Sequence, residues 1–226
     1  MIYELEEEMV EPEYLNELYT FEELQDLAKS GEADKKISIG DQLKVDRNGK
    51  DIIFDVVKIT NRKIYLLSHY LIAEMPFDAP EPENSDEDIA ICGSNNYLTS
   101  SVRQWLNHSE TDGEWWAPQT VSDRPIVCKD YLNGFMYKMN PEFLNCVAKN
   151  ENGDTFFLPS EDEIKEWFPN EADRVKTYAN KKKNWYWLRT PYLDDSYSVR
   201  FVSTLGALGT GGACGACGIA PACIIG

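Results

Sequence analysis

Three cysteines near the end of the chain are the residues whose type and spacing could do chemistry. Cys214 and Cys217 are spaced as C-x-x-C, and Cys223 follows six residues later. Thiolates at this spacing can bind zinc or exchange with a disulfide. A structural zinc site needs four ligands, however, and no motif places His69 or His108 beside the cysteines. The sequence therefore predicts no metal site and no cofactor.

Motifs for other chemistry are also incomplete. No Ser-His-Asp order, nucleophile elbow or paired-acid motif stands out among the 39 acidic residues. Residues 209–215 are glycine-rich but lack the Lys-Ser/Thr pair and the following helix of a phosphate loop. Residues 81–84 differ by one extra residue from the sugar-binding tripeptide of calcium-dependent lectins, so we expect no calcium. We predict no catalytic residues and expect that the protein is not an enzyme.

The last 35 residues use a restricted set of amino acids. Lys, Glu, Gln, Met and Trp account for 52 of residues 1–191 and for none of residues 192–226. None of these five amino acids has a codon that ends in C. Two explanations remain open, namely a rule that acts on codons or a glycine-rich terminal sheet with little room for long charged side chains.

The pattern inside this segment favours a codon rule. Residues 197–205 alternate as in a strand, so that every second side chain shares a face. One face would carry Tyr197, Val199, Phe201, Ser203 and Leu205. These side chains share no chemistry, and we expect Tyr197, Phe201, Ser203 and Leu205 to project outward.

Charge and hydropathy exclude several partners. The 226 residues carry a net charge of −17, which repels nucleic-acid phosphates and anionic lipids. No apolar run is long enough to span a membrane, and the first residues lack the basic and apolar parts of a signal peptide. We therefore expect no nucleic-acid partner, no membrane insertion, synthesis in the cytoplasm and reduced cysteines, with the final site left open.

The acidic residues are concentrated at the start of the chain. Residues 1–34 contain 12 acids and one lysine. Apolar residues at helical spacing, a capping box at Thr20 and Glu23 and a stop at Gly31 predict short helices. We divide the chain into an acidic helical arm, 1–34, and a domain, 35–226. The arm is interpreted as an amphipathic segment against the domain, with a dedicated docking helix as the alternative.

The domain is predicted to be α+β. Runs with a period of two predict a meander of strands at 37–45, 52–59 and 63–68, joined by turns at 48–49 and 61–62. Helices are predicted at 98–107, with Val102, Trp105 and Leu106 inward, and at 160–167 behind a Ser160–Glu163 capping box. Further strands are predicted at 155–158 and 185–189.

Five short motifs, in this order, resemble a known family. They are residues 21–31 with Ile39-Gly40-Asp41, Ser100-Ser101-Val102-Arg103-Gln104-Trp105-Leu106-Asn107, residues 156–163, Trp185-Tyr186-Trp187-Leu188-Arg189-Thr190-Pro191 and Gly218-Ile219-Ala220-Pro221-Ala222. From about residue 20 onward the chain resembles the variable proteins of diversity-generating retroelements, in which a C-type-lectin-like domain ends in a hypervariable segment. The resemblance implies a C-type-lectin-like fold with its variable segment at residues 192–217.

The resemblance also implies a binding face. In such proteins adenine-directed copying randomises selected codons, and the new residues bind ligand from a rigid frame. Sixteen residues here can each be reached from an AAC codon by changing its adenines: Leu193, Asp194, Asp195, Tyr197, Ser198, Phe201, Ser203, Leu205, Gly209, Thr210, Gly211, Gly212, Cys214, Gly215, Ala216 and Cys217. Trp185 and Trp187 would support that face from below, with Arg189 donating to backbone carbonyls.

The expected function is non-enzymatic ligand binding, with a protein or a surface glycan as partner and room for homo-oligomers. Two alternatives stay open. One is a structural phage particle or tail component with a glycine-rich end. The other is a relative of the formylglycine-generating enzyme, with Cys214 and Cys217 as its thiols. Cysteines that arose by diversification could not also be a fixed catalytic pair.

Overall fold

The computed structural model describes residues 14–60, 62–110, 119–121, 124–126 and 133–226. The predicted turn residue Asn61 lies outside them. The helices are α1 (Leu15–Leu18), α2 (Phe21–Ser30), α3 (Glu87–Cys92), α4 (Ser101–Leu106), α5 (Pro141–Cys146) and α6 (Glu161–Trp167). The strands are β1 (Gln42–Arg47), β2 (Lys50–Thr60), β3 (Lys63–Ser68), β4 (Ala73–Met75), β5 (Gln119–Val121), β6 (Arg124–Ile126), β7 (Val147–Ala148), β8 (Tyr186–Pro191), β9 (Ser198–Val202), β10 (Leu208–Gly212), β11 (Cys217–Ile219) and β12 (Ala222–Ile225). Within the described residues, short 3₁₀ helices lie at Ala33–Lys35 and Glu171–Arg174.

The first sheet has the order β1-β2-β3-β12-β7 and confirms the predicted meander. Asn48 and Gly49 adopt φ angles of 55° and 76°, which is the left-handed geometry of a tight hairpin turn. The first strand begins at Gln42, later than predicted, because residues 33–35 form a 3₁₀ helix and Gly40 turns the chain at φ 97°.

The second sheet has the order β10-β9-β8-β11-β4 and is built largely from the end of the chain. Its pairs are antiparallel except β11 with β8, which pair in parallel through Gly218 and Tyr186. The register between β8 and β9 shifts between Trp187 and Pro191. The described part of the chain is therefore an α+β fold of mostly antiparallel sheets with short helices around them.

Local capping signals give the helix positions. Ser100 accepts from the Arg103 N–H at the start of α4, and Val102, Trp105 and Leu106 are buried as predicted. The Ser160–Glu163 capping box at α6 is confirmed, as is the box that starts α2.

The strand predicted at 155–158 is wrong in extent, because only Phe157 forms a bridge, to Ala222. The side chain of Asn107 forms hydrogen bonds with the backbone groups next to Phe157. Its Oδ1 accepts from the Thr155 and Phe156 N–H groups, and its Nδ2 donates to the Phe156 carbonyl at 2.9 Å. The side chain of the residue that follows α4 thus replaces a neighbouring strand.

Helix α2 of the acidic arm packs on the domain. Leu24 and Ala28 are fully buried, and the Phe21 ring lies 5.4 Å from that of Phe143 in α5. Gln25 Nε2 donates to the carbonyl of Gly226 at 3.0 Å. One hydrophobic core therefore includes residues on both sides of position 34. None of the helices in the described residues has the length and apolar character needed to cross a bilayer.

Candidate ligand-binding surface

The sixteen residues predicted to vary follow one continuous path through the second sheet. They occupy the β8–β9 loop, β9, the β9–β10 turn, β10, the β10–β11 loop and the first position of β11. Thirteen of them reach solvent, and we call these the tail surface: Leu193, Asp194, Asp195, Tyr197, Ser203, Leu205, Gly209, Thr210, Gly211, Gly212, Cys214, Gly215 and Ala216. Among the large apolar side chains that the structure describes, Leu193 and Leu205 are the most exposed, at 91% and 77%.

Three of the sixteen residues are buried, namely Ser198, Phe201 and Cys217. The expectation that Phe201 projects outward is therefore wrong. Successive residues of a strand point to opposite faces of the sheet, and on β9 residues of both faces are buried, for example Val199 and Val202. This strand is therefore covered on both sides. An alternating pattern assumes that one face meets solvent, and here neither does fully.

Phe201 packs against Gly209, which is also in the segment 192–217, and against Trp185, one of the residues predicted to support that segment. Its ring stacks on that of Trp185 with centroids 4.7 Å apart and planes 11° apart. A Cβ added to Gly209 would lie 2.6 Å from the same ring. Trp185 is 45% exposed, so it is a wall of the surface rather than a residue beneath it.

Trp187 lies beneath the tail surface. Its indole N–H donates to the Met75 carbonyl at 3.1 Å, which fixes the ring on β4. A Cβ added to Gly211 would lie 3.6 Å from this ring, and one added to Gly215 would lie 3.8 Å from it. Both glycines belong to the sixteen residues predicted to vary, so the Trp187 ring lies beneath the segment 192–217.

Arg189 donates to the Leu158 carbonyl at 2.8 Å, which confirms the predicted donation to backbone. It also forms an ion pair with Glu163 of α6 and contacts Glu151 at 3.2 Å. A groove of about 500 Å³ lies beside it, lined by Asn95, Tyr97 and Pro191 among others. Arg189 thus joins β8 to α6 at the border of the tail surface.

Asn95 is a positioning residue that the sequence analysis missed. Its Nδ2 lies within hydrogen-bond distance of three carbonyls in or next to the β8–β9 loop, those of Tyr192 at 3.0 Å, Asp195 at 2.8 Å and Ser198 at 3.2 Å. Its backbone N–H donates to the Ser196 carbonyl. Nothing in the sequence around Asn95 indicates this role, because the partners are about 100 positions away.

The loop also orders itself. Asp195 Oδ1 accepts from the backbone N–H groups of Tyr197 and Ser198. On the opposite side of β9, Arg200 forms an ion pair of 2.9 Å with Glu161. Asp195 is therefore both solvent-accessible and part of the turn that supports its neighbours.

The cysteines do not form the arrangement that the C-x-x-C spacing suggested. Cys217 is buried, and burial together with Glu74 raises the pKa of its thiol to about 12. Cys214 instead lies next to Cys92, to which it is hydrogen-bonded. Across the described residues, no group of three or more His, Cys, Asp or Glu side chains is placed to hold a metal ion.

Two other polar clusters lie outside the tail surface. His69 Nδ1 is 2.8 Å from Asp55 Oδ1, and the buried Lys176 ammonium donates to the carbonyls of Ser68 and His69. A cavity of about 690 Å³ is lined in part by Arg47, whose guanidinium donates to main-chain carbonyls. Both clusters hold backbone segments together.

The surface so described carries little charge. Asp194 and Asp195 are its ionisable carboxylates, and its remaining members are apolar, hydroxyl, thiol or glycine residues. Such a surface can bind by shape and apolar contact, with hydroxyl and backbone groups for polar contacts.

Comparisons with known proteins give one family. A family model described as "Domain of unknown function (DUF6273)" matches residues 61–226, which includes β3 to β12 and the whole tail. Neither the curated proteins nor the solved structures include a match to this chain. Since the model covers most of the chain, the protein belongs to the DUF6273 family.

Proposed function

We propose that this protein is a non-enzymatic ligand-binding protein with a C-type-lectin-like scaffold, whose tail surface is diversified by a retroelement. The observation that carries the proposal is the coincidence of two boundaries. β8 ends at Pro191, and the restricted set of amino acids begins at Tyr192, where the chain enters the β8–β9 loop. A sheet that merely disfavoured long side chains would show the restriction along its other strands too.

The placement of the anchors supports the proposal. Asn95 and Glu161 hold the segment, through a hydrogen bond to the Asp195 carbonyl and an ion pair with Arg200, and both lie outside residues 192–217. Asn95 binds backbone carbonyls of the segment, which are present whatever the side chain. Side chains at the solvent-exposed positions can therefore change while most of these bonds are kept.

The partner that suits this surface best is a protein. Leu193, Leu205 and the half-exposed Trp185 offer apolar area, and aromatic anchors are typical of protein-binding surfaces. The net charge of −17 makes a strongly acidic partner unfavourable. A surface glycan is the second ligand class, because aromatic rings and hydroxyls can also contact sugars.

The neighbouring DNA tests this proposal. We expect a near-copy of the code for about residues 185–226 close to the gene, with adenines where the two copies differ, beside a gene for a reverse transcriptase. A complete locus that contains neither feature would overturn the diversification, and with it the assignment of the surface.

A further inference from the structure

Two thiols from distant parts of the chain lie side by side at the edge of the tail surface. The Cys214 thiol, in the β10–β11 loop, is hydrogen-bonded to the side chain of Cys92, the last residue of α3. A Cβ added to Gly212 would lie 4.0 Å from Cys92 Sγ, so the end of β10 also adjoins this sulfur. Both cysteines are partly exposed, which gives small reagents access to them.

The backbone on the Cys214 side is fixed by the segment that follows β4. The carbonyl of Ala213 accepts from the N–H groups of Phe77 at 2.8 Å and Asp78 at 3.1 Å. The Ala213 N–H donates to the Tyr197 carbonyl at 2.8 Å. Both the N–H and the carbonyl of Ala213, the residue before Cys214, are therefore hydrogen-bonded.

The same segment fixes the Cys92 side. Asp78 Oδ2 accepts from the Ser94 N–H at 3.1 Å, and a Cβ on Gly93 would lie 2.6 Å from the Ala79 carbonyl oxygen. Gly93 adopts φ 74°, so the turn after Cys92 depends on glycine both for its backbone angle and for this close approach. A shared support therefore holds the backbone on both sides of the neighbouring thiols.

The other described cysteines are poor partners. Cys146, Cys217 and Cys223 are buried. Burial raises the pKa of the Cys146 and Cys223 thiols, and it also keeps their sulfurs from the reagents that the partly exposed Cys92 and Cys214 can meet. The reactive pair is therefore not the one that the C-x-x-C spacing indicates.

We propose that Cys92 and Cys214 form a reversible disulfide that ties α3 to the β10–β11 loop, with a small-molecule disulfide such as oxidised glutathione as the oxidant. One cysteine thiolate attacks the oxidant, forms a mixed disulfide and releases one glutathione thiol. The second cysteine thiolate then attacks the mixed disulfide at the protein sulfur, and the second glutathione leaves. Two protein thiols are oxidised to one disulfide, and one oxidised glutathione is reduced to two thiols.

The environment of Cys214 predicts how the reaction depends on pH. Burial and the neighbouring Cys92 raise the pKa of the Cys214 thiol to about 11. Since the thiolate is the attacking species, formation of the bond becomes faster as the pH rises from 7 toward 10. This inference is independent of the proposed retroelement, because it concerns two side chains whatever their origin.

Peptide mapping of the full chain tests the proposal. The protein is incubated with oxidised glutathione at pH 8, blocked with an alkylating reagent and digested without reductant for mass spectrometry. We expect one cross-linked peptide that joins Cys92 to Cys214, lighter by two hydrogens than the separate peptides and released by dithiothreitol. A cross-link through Cys217 or Cys128, or glutathione adducts that never resolve into a cross-link, would overturn it.

Three variants provide the controls. Cys92→Ser and Cys214→Ser should each abolish the cross-link, and Cys217→Ser should retain it. A cross-link that survives either of the first two variants would contradict the assignment. The wild-type map identifies the paired cysteines by itself, so the proposal stays testable if a variant fails to fold.

Discussion

Phe201 and Gly209 show how residues of the tail constrain each other. The ring of Phe201 fills the space where a side chain on Gly209 would stand, and Trp185 covers its other face. Both Phe201 and Gly209 belong to the set predicted to vary. A diversified surface in which two positions share one volume can present either a large residue at 201 or a side chain at 209.

Substitutions in the tail should therefore fall into two groups. Phe201→Ala removes a ring that is only 8% exposed and should lower the free energy of unfolding by about 3 kcal/mol. Leu205→Ala, at a residue 77% exposed, should change it by less than about 0.5 kcal/mol. Denaturant midpoints at constant slope measure both, with Trp187→Ala as the buried reference at about 3 to 5 kcal/mol. Equal losses for Phe201→Ala and Leu205→Ala would contradict the described packing.

The contact at Gly209 predicts a measurable coupling. Gly209→Ala should cost about 1 to 3 kcal/mol because the added methyl group meets the Phe201 ring. In a Phe201→Ala background the same change should cost much less, which gives a coupling of at least about 0.5 kcal/mol in a double-mutant cycle. Gly211→Ala is the matched control, since its Cβ would lie 3.4 Å from the ring. Additive effects of Gly209→Ala and Phe201→Ala would show that the two positions vary independently.

Lys176 predicts a pH dependence of stability. Burial lowers the pKa of its ammonium group from 10.5 to about 8, with Asp55 opposing the shift. Between these two values the unfolded chain binds more protons than the folded one, so the contribution of Lys176 makes the folded state more stable as the pH rises. The gain amounts to about 3 kcal/mol between pH 8 and 10.5. Lys176→Met should lose this dependence, and chemical denaturation of both proteins from pH 7 to 10 measures it. Parallel curves would contradict the burial of a charged lysine.

At the scale of elements, the β8–β9 loop depends on a residue from another part of the fold. Asn95 binds the carbonyls of Tyr192, Asp195 and Ser198, and these three bonds do not depend on the loop's own side chains. Local signals could not reveal it. The capping boxes at Thr20 and Ser160 were predicted because both partners lie within four residues. Partners separated by about 100 positions leave no spacing to recognise.

Asn95→Asp should loosen this loop. The change keeps the size of the side chain but removes the Nδ2 donor, and it places a carboxylate against three carbonyl oxygens. We expect faster amide hydrogen exchange in residues 192–198 and a loss of about 1 to 3 kcal/mol in stability. Asn96→Asp is the control, because Asn96 Oδ1 accepts from the Leu98 N–H and an aspartate keeps this acceptor. Unchanged exchange in the Asn95 variant would show that the loop is held by other contacts.

At the scale of the whole molecule, the end of the chain completes both sheets. β12 lies between β3 and β7 in the first sheet, and β9, β10 and β11 form most of the second. Val199, Val202 and Ala213 are fully buried within this segment. The end of the chain is therefore part of the core, and variation is tolerated best at positions that reach solvent.

The extent of sequence-based prediction follows from this arrangement. The meander, α4 and α6 were predicted because turn residues, caps and apolar spacing are local. The position of the variable segment, residues 192–217, was predicted from its restricted set of amino acids, which is also a local property. The burial of Phe201 was missed because it depends on Trp185, just before β8, and on Gly209 in β10. A pattern within one strand contains no information about what covers it.

The central claim is that side chains of the tail surface vary on a fixed frame, and sequencing this gene from many independent isolates of one population tests it most directly. We predict that amino-acid changes concentrate at the sixteen candidate codons, that they arise by replacing adenines of a shared template, and that Val199, Val202 and Ala213 stay constant. Changes spread evenly over residues 192–226, or no excess of changes over the rest of the gene, would contradict the account.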